Sequence, residues 1–226
     1  DGGHKVTEAE IEELIQSFVA AADRARQAGF DGVEIFAAYH SLIDQFWTPW
    51  SNRRDDRWGG SLDNRVRFSS EILSRIRETC GPDFIVGLAV SVDQFAEPAL
   101  SLEALTEIAS WHDERGLMDY LTCGTGSYFR AQPIIPTHLH EGLQGAGLAD
   151  HIKTHLRHAR VQAEAGIHSP ARAEEIISTG QADLCSMVRA QIADPWLAHK
   201  AEAGQAGSVR PCIQCNQQCI ARRYRD

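Results

Sequence analysis

Three cysteines near the end of the chain have a spacing that suits a metal: Cys212-Ile-Gln-Cys215-Asn-Gln-Gln-Cys219 reads C-x2-C-x3-C. Thiolates two and three residues apart on a short loop can converge on one centre. That centre is either a cubane iron–sulfur cluster or zinc with a fourth ligand from elsewhere. No histidine follows His199, which counts against a compact, non-enzymatic zinc module. Cys80, Cys123 and Cys185 are scattered and read as small buried side chains, so the cysteines suit a reducing compartment with one metal site rather than a disulfide framework.

The elements that must position such a site belong to a chain of ordinary globular composition, 226 residues with 43% hydrophobic and 23% charged. A net charge of -9, from 31 acidic and 22 basic residues, offers no electrostatic footprint for nucleic acid or an anionic membrane. The longest apolar run, residues 84–92, is about half of what a membrane span needs. With no basic leader ahead of an apolar segment, the chain is expected to be cytoplasmic. It starts at Asp1-Gly-Gly-His-Lys5 without methionine, as a piece of a longer protein would.

Thr7 followed by Glu10 is a capping box, and the apolar residues from Ile11 to Ala22 keep a helical period, predicting a helix over residues 7–28. Val33-Glu-Ile-Phe36 reads as a short strand. Residues 37–64 form a long loop rich in aromatics and arginines. A helix over 63–80 and a continuously apolar strand over 84–91 repeat the step. Helix 100–115 and strand 118–123 follow, then a loop over 128–147, helix 149–159, a weak and unusually polar strand over 160–164, helix 170–179 and strand 183–188. Strands that alternate with helices, none at hairpin spacing, predict an α/β fold with a parallel sheet, doubly wound or part of a (β/α)8 barrel. No G-x-G-x-x-G follows the first strand, which favours the barrel.

Ala28-Gly-Phe-Asp-Gly-Val-Glu-Ile35, Leu42-Ile-Asp-Gln-Phe46, Ser51-Asn-Arg-Arg54, Trp58-Gly-Gly-Ser-Leu-Asp-Asn-Arg65 and Arg189-Ala-Gln-Ile-Ala-Asp-Pro195 together resemble the Old Yellow Enzyme superfamily of FMN-dependent barrels. The cysteine run with Asn216 narrows the resemblance to the branch of trimethylamine dehydrogenase and 2,4-dienoyl-CoA reductase. The resemblance implies a partial TIM barrel, strands four to eight, over residues 1–207. Residues 208–226 would begin a 4Fe-4S segment held by Cys212, Cys215 and Cys219, its fourth ligand outside this chain. It also implies FMN across the C-terminal mouth, its phosphate near Ala165-Gly166 and Val188-Arg189, where free amides and a guanidinium can meet an anion. A piece without strands one to three is expected to bind FMN weakly on its own.

Departures from the family pattern bear on function. Phe36 and Tyr39 stand where enoate-reducing members carry a His pair, and Ala89 where an arginine beside the flavin is usual. Val188 replaces a glycine, and Ala165-Gly166 replaces Gly-Arg. A carbonyl oxyanion would lack its two donors. The residues around Phe36 to His40 and Phe46 to Trp50 look most like the demethylases of dimethylglycine and N-methylproline type. The expected activity is therefore oxidative N-demethylation of a small methylated amine or amino acid, with hydride passing to FMN and electrons leaving through the cluster to an acceptor protein or downstream domain. Tyr39 is the first candidate to position or deprotonate the amine, His40 the second. The alternative is an NAD(P)H-dependent dienoyl-CoA or enoate reductase. Oligomeric state stays open, a homo-oligomer included.

Overall fold

The computed structural model describes residues 4–94, 96–139 and 145–220. The Thr7 hydroxyl accepts from the Glu10 N–H, and the Glu10 carboxylate accepts from the Thr7 N–H, at 3.2 and 2.7 Å. This capping box starts α1 (Glu8–Gln27). β1 (Gly32–Phe36), α2 (Leu42–Trp47), α3 (Leu62–Arg65) and α4 (Arg67–Cys80) follow, then β2 (Ile85–Val92), α5 (Leu102–Asp113) and β3 (Tyr120–Thr125). The rest is α6 (Gly145–Lys153), β4 (Arg160–Ala163), α7 (Pro170–Ser178), β5 (Leu184–Cys185), α8 (Val188–Ala193) and α9 (Leu197–Glu202). No helix among the described residues is long and apolar enough to cross a membrane.

All five strands are parallel and lie in chain order, β1-β2-β3-β4-β5. Strands laid side by side in sequence order, with helical crossovers, form an arc of a (β/α)8 barrel. Register fixes two faces. Ile35, Leu88, Leu121 and Val161 form one row across the sheet and are buried under the helices with Ile72, Leu73, Ile76, Leu105 and Ile108. Alternation turns the next rows inward: Glu34, Gly87 and Tyr120, then Phe36, Ala89, Thr122 and Gln162. The inner face is thus polar at its centre. α6 closes on the sheet because Gly145 lacks a Cβ, which would meet the carbonyl oxygens of Glu164 and Cys123 at 1.8 and 2.5 Å.

Several expectations shift. The stretch 37–64 is not all loop, because Leu42–Trp47 coils into α2 and buries Ile43, Phe46 and Trp47. The helix expected over 63–80 divides at Val66, which ends α3 and precedes α4. The helix expected over 149–159 runs Gly145–Lys153 instead. The buried Asp113 carboxylate accepts from the N–H groups of Arg157, His158 and Ala159, so those residues are drawn out of the helix and into the approach to β4. Part of the loop expected over 128–147 lies outside the described residues. The strand expected over 183–188 is only Leu184–Cys185. β4 ends at Ala163, whose carbonyl accepts from Ser186 N–H; with no partner beyond it the chain turns, and Val188 opens α8.

Candidate active site

The segments that follow β1, β3, β4 and β5 converge on one cleft of about 530 Å³, whose lining includes Tyr39, Ile134, Glu164, His168, Arg189 and Cys219. It lies at the C-terminal ends of the strands, where barrel enzymes place their chemistry. Tyr39 and His40 both take left-handed backbone, φ 61° and 65°, a conformation that costs non-glycine residues about 1 kcal/mol or more each. Two long-range or turn-closing bonds hold it: Tyr39 N–H donates to Ser91 Oγ at 2.7 Å, and His40 N–H to the Asp44 carboxylate at 2.9 Å. Among the described residues the non-glycine positions with positive φ are Tyr39, His40, Ala165, Gln214 and Asn216. Tyr39 and Ala165 line the cleft, His40 follows Tyr39 in the chain, and Gln214 and Asn216 lie in the cysteine run.

Tyr39 is 6% exposed. Its hydroxyl reaches over β3 because residue 124 is glycine, where a Cβ would sit 2.7 Å from that oxygen. The hydroxyl then stands 3.5 Å from Glu164 Oε1. Phe36 and Tyr128 flank the phenol with ring centroids at 5.6 and 6.3 Å. Burial first, and then the Glu164 charge, pushes the phenol well above its ordinary range. The Glu164 carboxyl is raised by its own burial and by the Glu34 charge, while the Tyr39 hydroxyl pulls it down. Glu34 accepts from the Thr122 hydroxyl, which also accepts from Gln162, so an anionic inner face lies beneath the cleft. His40 is placed differently. It packs between Phe129 and Trp50, with centroids at 4.9 and 5.8 Å, its Nδ1 3.8 Å from Asp44, and it is not among the cleft-lining residues.

At the tip of β4, Ala165 and Gly166 take φ 73° and 76°. The N–H groups of Ala165, Gly166 and Ile167 have no acceptor among the described residues. His168 Nδ1 is buried without a hydrogen-bond partner, and burial, then the Arg189 charge, lowers its pKa. Arg189 Nη1 donates to Pro136 O and Asn216 Oδ1 at 2.8 and 2.7 Å; its other N–H groups have no partner among the described residues. Val188 is 66% exposed at the start of α8, and Met187 supplies no side-chain cap there. Unpaired amides, an orphaned imidazole nitrogen and a guanidinium around one cleft fit the phosphate end of FMN.

The cysteine run sits against the same cleft. Asn216 Nδ2 donates to Ile135 O at 2.6 Å, and with Arg189 it ties the run to the segment before residue 137. Cys212 is partly buried, whereas Cys215 and Cys219 are exposed. No three His, Cys, Asp or Glu side chains among the described residues come together to hold a metal ion. The three thiols therefore share a loop without forming a ligand set among the described residues.

Sequence reasoning passed over Glu164, Glu34 and His168. The polarity of Arg160-Val-Gln-Ala-Glu164 was the available signal, since Gln162 and Glu164 alternate onto the inner face. Nothing local marked Ser91 or Gly124 as partners of Tyr39.

A barrel arc with an anion cradle and a partly buried phenol–carboxylate pair invites comparison with flavin enzymes. An N,N-dimethylglycine/sarcosine dehydrogenase of Chromohalobacter salexigens is 35% identical over 97% of this chain and 32% of its own length. An NADH oxidase of Thermoanaerobacter brockii is 40% identical over 95% of this chain and 33% of its own. The solved structure of a 2-naphthoyl-CoA reductase in complex with 2-naphthoyl-CoA superposes with a TM-score of 0.88 at 33% identity, covering 95% of this chain and 32% of that one. The chain thus spans about a third of the length of the relatives it matches. The sequence profile of the NADH:flavin oxidoreductase / NADH oxidase family matches residues 3–207, and with the cradle, the barrel arc and these relatives in agreement, the chain belongs to that FMN-binding family.

Proposed function

We propose that the protein carrying this chain oxidises an N-methyl group of a small amine or amino acid. The observation that carries this reading is the cleft's polar lining: a phenol and a carboxylate beside aromatic rings, with Phe36 and Tyr39 where a carbonyl would need two imidazole donors. Aromatic faces suit a methylammonium group on arrival, and the carboxylate suits its charge. The similarity to a dimethylglycine/sarcosine dehydrogenase supports the same choice.

Bound FMN supplies the acceptor for hydride from the N-methyl carbon. The chain's own residues do the rest. The Phe36, Tyr39 and Tyr128 rings wall the methyl-bearing end, the Tyr39 hydroxyl orients the amine, and the apolar lining from Ile134, Ile135 and Ile167 limits water. Loss of hydride leaves an iminium, and water converts it to formaldehyde and the demethylated amine. Arg189, Ala165, Gly166 and Val188 are assigned to the flavin phosphate. His40 supports the mouth by holding Phe129 and Trp50. Cys212, Cys215 and Cys219 are assigned as ligands of a 4Fe-4S cluster from their spacing together with the family resemblance, and an electron acceptor would follow from that.

The test is anaerobic addition of dimethylglycine, sarcosine or N-methylproline to the FMN-loaded protein. Loss of the flavin absorbance near the visible maximum supports the proposal. The similarity to an NADH oxidase and to a 2-naphthoyl-CoA reductase favours a second reading, reduction of an enoyl or aryl thioester at the expense of NAD(P)H. Bleaching by NAD(P)H with no response to methylated amines would select it.

A further inference from the structure

We infer that Glu164 is the catalytic base of this cleft, taking the proton from the substrate's ammonium nitrogen so that a neutral amine stands ready to lose hydride. The inference rests on the amine reading above and adds the residue that the sequence did not single out. Glu164 lines the cleft at the end of β4, its backbone fixed by an N–H bond to Cys123 O at 3.0 Å. Its carboxylate has no basic partner among the described residues. The Tyr39 hydroxyl, its one side-chain hydrogen-bond partner among the described residues, is 3.5 Å away, long for an O–H···O bond. Lone pairs of Glu164 are therefore left for another donor.

The step is a plain proton transfer. The substrate N–H bond breaks, its electron pair stays on nitrogen, and an O–H bond forms on Glu164, so an ion pair becomes a neutral carboxyl and a neutral amine. Tyr39 cannot take this role, because the phenolate would have to form beside an anion in a buried site; it donates and positions. The groups facing Glu164 are Tyr39 and Glu34 from β1 and its loop, Cys123 from β3, Tyr128 beyond Tyr39, and His168, Arg189 and Cys219 around the cleft. Burial and the Glu34 charge raise its proton affinity, which brings the carboxyl closer to an amine and eases the transfer.

The experiment compares wild type, E164Q and E164D as full FMN-loaded proteins, with dimethylglycine as the probe. Rapid anaerobic bleaching is followed across pH, and dimethylglycine binding is measured by flavin spectral perturbation. For E164Q the expected result is a fall of about 100-fold in bleaching rate near neutral pH, the usual scale of a lost acid–base group. The rate should recover as pH rises toward the amine's own pKa, because free amine then needs no base. E164D should keep the acid limb of the wild type. An E164Q profile parallel to wild type, or lowered equally at every pH, overturns the inference while leaving the amine reading intact. Failure of wild type to respond to any methylated amine overturns both. Should E164Q lose FMN, the E164D profile decides: loss of its acid limb contradicts the assignment.

Discussion

Tyr39 is held by a strained backbone, a serine from the next strand and a glycine on the one beyond, which is more support than a core tyrosine needs. Replacing it with phenylalanine keeps the ring and removes the O–H. Y39F is expected to raise KM for dimethylglycine about 10-fold, the scale of one lost hydrogen bond in the site, with a smaller effect on kcat, read from steady-state kinetics. G124A should produce the same phenotype by another route, since its methyl would displace the Tyr39 hydroxyl; unchanged KM in G124A, with FMN retained, would contradict the packing. Tyr39 was legible from the sequence as a departure at a patterned position. Glu164 was not, because a carboxylate at the end of a polar strand gains its meaning only when β1 and β3 bring Tyr39 and Glu34 beside it.

At the scale of elements, the junction of α5 with the approach to β4 carries buried polar groups that no local pattern reveals. Asp113 is fully buried and serves three N–H groups. D113A would strand those donors and is expected to cost about 3 kcal/mol, seen as a lower urea midpoint. Its neighbour His112 is fully buried, hydrogen-bonded to Ser69 and Ile108 O, and burial lowers its pKa to about 4. The unfolded chain takes up a proton as pH falls through about 6.5, whereas the folded chain stays neutral down to about 4. Stability from this group is thus full above pH 6.5 and is lost between 6.5 and 4, on the order of 3 kcal/mol. Urea midpoints of wild type and H112N across that window check it; equal slopes would contradict it. Strands and long helices were readable because period and caps are local, as in α1 and β2. The end of α6 and the shortness of β5 were not, since Asp113 and the length of β4 decide them from a distance.

Across the molecule, five strands form an arc whose inner face leaves Phe36, Ile85 and Leu184 between 43% and 45% exposed. A ligand across the mouth of a closed (β/α)8 barrel is met by loops from the whole ring of strands, and an arc of five strands supplies only part of them. The 226-residue chain alone is therefore predicted to bind FMN weakly or not at all, and a stoichiometric yellow complex after gel filtration would disprove this. The amine reading is tested most directly by an anaerobic single turnover of the full FMN-loaded protein with dimethylglycine carrying deuterated N-methyl groups. The predicted result is flavin bleaching slower than with the protiated compound, with one formaldehyde released per flavin reduced. A flavin that stays oxidised with the methylated amine yet bleaches fully with NAD(P)H would contradict it.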